Sequence, residues 1–109
     1  MKTIIISGIM ATLLMASPAT AQATDDNKDI LCPPIGRMAE VIMRSRQNGV
    51  IMSDLLATIS PDADPKIKNL FRAIAIDAYK KSRYSTAEYQ QTAIEDFRND
   101  VESMCYSSK

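Results

Sequence analysis

The sequence predicts an all-α fold: a small four-helix domain of three main helices and one short one, closed by a single disulfide between Cys32 and Cys105. Three observations carry that prediction. Apolar residues recur at three- and four-residue spacings through three long stretches, and no stretch alternates in the manner of a strand. The only two cysteines stand at the two ends of the patterned region.

The first helix is expected to open at Cys32-Pro33-Pro34, because proline's fixed φ suits a first helical turn and its missing N–H has no partner there to lose. Ile35, Met38, Ala39, Ile42 and Met43 form its apolar face, and Asn48-Gly49 supplies a left-handed stop. Val50-Ile51-Met52 is the only β-like run and is too short to pair. A short second helix follows, with Ser53 as its N-cap and Met52, Leu55, Leu56 and Ile59 as its apolar face, ending at Ser60-Pro61. Asp64-Pro65 joins a capping side chain to a first-turn proline and opens the third helix. Its stripe of Ile67, Leu70, Phe71, Ile74, Ala75, Ala78 and Tyr79 runs for about four turns. Lys80, Lys81 and Arg83 stand at its C-terminal end, where cations offset the helix dipole. Ser85-Thr86-Ala87-Glu88 fits a capping box for the fourth helix. That helix carries Tyr89, Ala93, Ile94, Phe97, Val101 and Met104 on one face and Glu95, Asp96, Arg98, Asp100 and Glu102 on the other, and ends near Cys105.

Ahead of the domain, Lys2, the apolar run Ile4 to Met15 and the small residues around Ala19-Thr20-Ala21 read as a cleavable secretory signal over residues 1–21, with Ala23 as an alternative cleavage point. The run is too short for the roughly 20 residues a bilayer-spanning helix needs, so no integral membrane span is expected in the mature form. Residues 22–30 read as a flexible acidic lead-in and 31–109 as a single helical domain. Export to the periplasm or outside the cell is an oxidising destination, where two cysteines at the ends of a domain pair. With over seventy residues in the loop, the bridge is worth about 4 kcal/mol by chain entropy, a large contribution to a core built from fewer than ninety residues.

The chain has no histidine, which withdraws the commonest general base and metal ligand. The three glycines are isolated and cradle no phosphate, and the two cysteines lack metal or redox spacing. Thirteen basic residues balance thirteen acidic ones, and loss of the leader removes Lys2, so there is no basic excess for nucleic acid. Glu88 with Glu95, and Asp96 with Asp100, offer carboxylates on nearby turns, but such spacing commonly marks a solvated face. The expectation is no catalytic residue, no metal and no cofactor.

Cations and tyrosines are the remaining candidates for contact with a partner. Arg44, Arg46 and Gln47 lie near the end of the first helix, and Arg72, Lys80, Lys81, Arg83 and Tyr84 around the end of the third. Arg46, Arg72, Lys81, Arg83 and Tyr84 are taken as the candidate binding surface, since a cationic patch with a tyrosine suits an acidic partner by charge complementarity.

Cys32, the helix end Arg46-Gln47-Asn48-Gly49-Val50, the tyrosine-bearing third helix and the closing Cys105 together resemble a diffuse set of small exported one-disulfide helical proteins of proteobacteria and their prophages. The resemblance spans most of the mature chain and implies export and the bridge. In architecture the chain is also similar to the phage spackle family, exported inhibitors of a tail lysozyme, and to the periplasmic acid-stress chaperones. The function expected is protein binding or inhibition in the cell envelope. The alternatives are an acid-stress chaperone and a small lytic enzyme using Glu88 or Glu95.

Overall fold

The computed structural model describes residues 19–109, with side-chain environments from residue 27 onward; most of the expected signal segment 1–21 lies outside the described residues. Four helices follow in order: α1 (Ala19–Gln47), α2 (Met52–Leu56), α3 (Pro65–Tyr79) and α4 (Ala87–Ser107), with no strand among the described residues. The domain is all-α, and Cys32 and Cys105 form the expected disulfide with their Cα atoms 5.7 Å apart.

The core takes Ala39, Ile42 and Met43 from α1, Leu55 from α2, Ile74, Ala75 and Ala78 from α3, and Ile94, Phe97 and Val101 from α4. These spacings put one stripe of each long helix inward. Three of the core positions are alanines with no exposed surface, which lets the helix backbones approach closely. Gly36 extends this on the α1 side facing α4: a Cβ there would fall on the Glu102 side chain, which passes over the glycine. Above that crossing Arg98 donates to Glu40 at 2.7 Å and to Glu102 at 3.0 Å, tying α4 to α1. The Glu102 and then the Glu40 hydrogen bond raise the Arg98 pKa above its usual value.

The start of α1 differs from the expectation. The helix is already formed at Ala19 and carries Pro33 and Pro34 inside it, so it runs through the segment 22–30 that reads as a lead-in. The prolines remove the helical bonds to the carbonyls of Asp29 and Ile30. This stretch is held against the end of α4, where Cys32 is fully buried in its bridge. Lys28 Nζ donates to the carbonyls of Tyr106, at 3.1 Å, and Ser108, where the C-terminus of α4 favours a cation.

The end of α1 follows the expectation. Gly49 has φ +83°, Gly49 N bonds Arg46 O at 3.1 Å and Val50 N bonds Ser45 O at 3.0 Å, a Schellman motif. Because α2 begins so soon afterwards, Ile51 rather than Ser53 takes its cap position, in extended conformation and without a side-chain cap. The second helix stops at Leu56, and a turn closed by Thr58 Oγ1 donating to Leu55 O at 2.6 Å replaces its expected last turn. Asp64 caps α3 as expected, accepting Lys66 N at 2.7 Å. α3 ends at Tyr79, so Lys81 and Arg83 belong to the connection and not to its last turn. α4 is capped by Thr86, which accepts Tyr89 N at 3.3 Å, one residue later than a Ser85 capping box requires.

Candidate functional site

The connection from α3 to α4 is fastened to the C-terminus of α1, and the candidate surface residues do much of the fastening. Arg46 donates through Nε and Nη2 to Lys81 O at 3.2 and 3.1 Å, and its guanidinium lies 5.5 Å over the Tyr79 ring. Arg83 Nε donates to Gln47 O at 3.1 Å, a carbonyl left open by the end of α1. Gln47, 1% exposed, completes the joint: its Nε2 donates to Ser82 O and its Oε1 accepts Tyr84 N, both at 2.8 Å. Gln90 Nε2 then donates to Tyr84 O at 2.7 Å, and the Tyr84 and Tyr89 rings lie 6.1 Å apart.

Arg46, Lys81, Arg83 and Tyr84 therefore meet at one end of the fold. Arg46 and Arg83 hold the chain there, while Lys81 and Tyr84 remain exposed. Arg72 is not brought to them. It borders a separate hollow of about 180 Å³ with Lys68, Leu56 and Pro61, beside the α2 to α3 connection. Burial pushes the Tyr79 pKa up from 10.0; Arg46 opposes the shift and Asp54 adds to it.

A larger feature lies between α3 and α4. Both helices pack along α1, but their own backbones scarcely approach one another, and a cleft opens between them. At the disulfide end it widens to a hollow of about 550 Å³, floored by Ile35 and Ile74 and walled by Leu70, Val101 and Met104, with Asp77 as its one charged side chain. Further along the same face of α4 a second, smaller hollow of about 150 Å³ lies over Met43 and Phe97, where Asp96, Asp100 and Lys81 stand. Met104, on the apolar stripe of α4, is 58% exposed here.

The carboxylates considered for catalysis are placed as follows. Glu88 and Glu95 are exposed and two helical turns apart, and Glu95 accepts Gln91 Nε2 at 3.1 Å. Asp96 and Asp100 are brought together on the cleft wall. Among the described residues no group of acidic or sulfur side chains is arranged to hold a metal ion, and no helix is long and apolar enough to cross a membrane.

Comparison with protein-family models, with curated proteins and with solved structures finds no match to this chain.

Sequence reasoning placed Gln47 in a cationic patch and missed its buried role. The signal was available: Gln47 follows Met43 by four residues and so continues the inward stripe of α1, where an amide is buried only if satisfied. The cleft had no such signal, because an apolar stripe does not tell an open wall from a covered core. Met104 and Ile67 lie on apolar stripes, yet Met104 is 58% and Ile67 47% exposed.

Proposed function

We propose that this protein is exported to the periplasm or beyond and acts there by binding a protein partner of the cell envelope, not by catalysis. The observation that carries this reading is the uncovered cleft between α3 and α4, an apolar hollow of about 550 Å³ bordered by the exposed Met104. Contiguous apolar surface left open by a small helical domain is a common mark of an interaction site. The disulfide, with Cys32 fully buried, suits an oxidising compartment. Lys81 and Tyr84 belong to the proposed contact surface at the cleft's narrower end, and Arg46 and Arg83 support it by fixing the backbone that presents them.

The test is expression with the native leader in a Gram-negative host, with a photo-cross-linking amino acid placed singly at Met104, Lys81, Arg72 or Glu95. The expected result is an oxidised protein in the osmotic-shock fluid that forms a protein adduct from Met104 or Lys81 and none from Glu95, on the opposite face of α4. Retention in the cytoplasm in reduced form, or no adduct from any position, removes the reading.

A further inference from the structure

We infer that the α3–α4 cleft seats a single amphipathic helix of the partner protein, carrying lysine or arginine beside its apolar stripe, and that this helix occupies the fourth long position of an otherwise three-helix bundle. The inference rests on the binding reading above and adds the chemistry of the partner.

The shape of the cleft argues first. The two hollows follow one face of α4 from Ala93 to Ser108, and across from it stand, in antiparallel order, Lys81 of the connection and then Asp77 back to Leu70 of α3. At 1.5 Å per residue the α4 wall is roughly 22 Å long, the length of about four turns of helix. The floor is α1, through Ile35 at one end and Met43 at the other. Two helices splayed on a third leave a groove into which a further helix can lay one face, the helix-in-groove mode of recognition.

Charge then selects the occupant. Asp77, Asp96 and Asp100 line the cleft against one cation, Lys81. Among the described residues all ion pairs involve Glu40, Arg44, Arg98 and Glu102, so none of the three aspartates is paired. An apolar stripe resting on Ile74, Val101 and Met104 brings flanking lysines or arginines against Asp77 and Asp100. The same aspartates repel the headgroup of an anionic lipid or a fatty acid. They also oppose a second copy of this chain docked face to face, because a two-fold contact sets like carboxylates against each other.

The experiment uses the oxidised protein and two fluorescent synthetic helices of about 16 residues, matched to the cleft length. Both carry the same leucine stripe; one is flanked by lysines and the other by glutamates. Fluorescence anisotropy should show the lysine helix binding at least about tenfold more tightly than the glutamate helix, a difference that two charge contacts readily supply. The double variant Asp77→Lys/Asp100→Lys should reverse that order, a gain that misfolding cannot produce. Ala73→Arg, at an exposed position on the α3 wall, should abolish binding of both peptides while circular dichroism stays unchanged. The inference is overturned if neither peptide binds, if both bind equally, or if binding survives Ala73→Arg. It is also overturned if the free protein sediments as a dimer that Ala73→Arg dissolves, or if vesicles of anionic phospholipid occupy the cleft. Should the peptides fail while cross-links from Lys81 or Arg72 still trap a protein in cells, the binding reading stands and only the helix in the cleft falls.

Discussion

The side-chain oxygen of Gln47 accepts the backbone N–H of Tyr84 at 2.8 Å, across 37 residues of sequence. One buried amide thus joins the last turn of α1 to the strap that delivers the chain into α4, and its nitrogen holds Ser82 O on the same strap.

Replacing Gln47 by leucine keeps approximate volume but strands the Tyr84 N–H and the Ser82 carbonyl. Unsatisfied buried groups of this kind cost about 1–3 kcal/mol each, and the strap can relieve part of that by turning to water. The expected loss is about 2 kcal/mol in urea unfolding of the oxidised protein. A loss within error of zero would show that the amide is not a tie.

Gly49 is required twice over, by its φ of +83° and by the Arg83 guanidinium, whose Nη2 would lie 2.8 Å from an added Cβ. Gly49→Ala is expected to cost about 1–2 kcal/mol from the left-handed backbone alone, with a further loss as Arg83 is pushed off Gln47 O. In an Arg83→Ala background that second part has already been lost, so the same substitution should cost less. Strict additivity in the double-mutant cycle would mean the two residues do not meet.

Removing the bridge with Cys32→Ser/Cys105→Ser opens a loop that joins residues 73 apart. The expected fall in stability is about 4 kcal/mol, enough to unfold much of a domain this small at 37 °C. Thermal unfolding with and without reductant checks it. A fall below about 1 kcal/mol would assign the closure to Lys28 and the α1–α4 contacts instead.

Tyr79 sets an alkaline limit. Its hydroxyl donates to Val50 O at 2.7 Å, and burial raises its pKa from 10.0, with Arg46 pulling partly against the rise. The folded protein therefore holds the proton more tightly than the unfolded chain. The stabilisation is complete below pH 10.0 and is lost as pH climbs through the higher folded value. Urea unfolding across alkaline pH should show a decline that is shallower in Tyr79→Phe. Identical slopes in the two proteins would exclude the tyrosine as its source.

Most of the architecture was legible in the residues, for reasons that are local. Asp64-Pro65 and Asn48-Gly49 set two helix boundaries because capping and left-handed backbone depend on the residue itself. The disulfide was legible because only two cysteines were present to pair. What escaped depends on contacts between distant segments. Pro33 and Pro34 read as a helix start, yet α1 continues through them where Lys28 and Cys32 are held against the end of α4. Arg46 and Arg83 read as free cations, yet they bind carbonyls 35 and 36 residues away. The cleft needed the separation of α3 from α4, which no periodicity within either helix records.

The bridge and Lys28 also fasten the early part of α1 to the end of α4, and Ser108, in that end, forms part of the cleft wall. A purification tag or fusion partner appended there begins at the mouth of the apolar hollow, and tethering the protein by that end would crowd its own docking groove. Reagents for interaction work are better attached on the exposed turn after α2, where Ala57 faces solvent and lines neither hollow of the cleft.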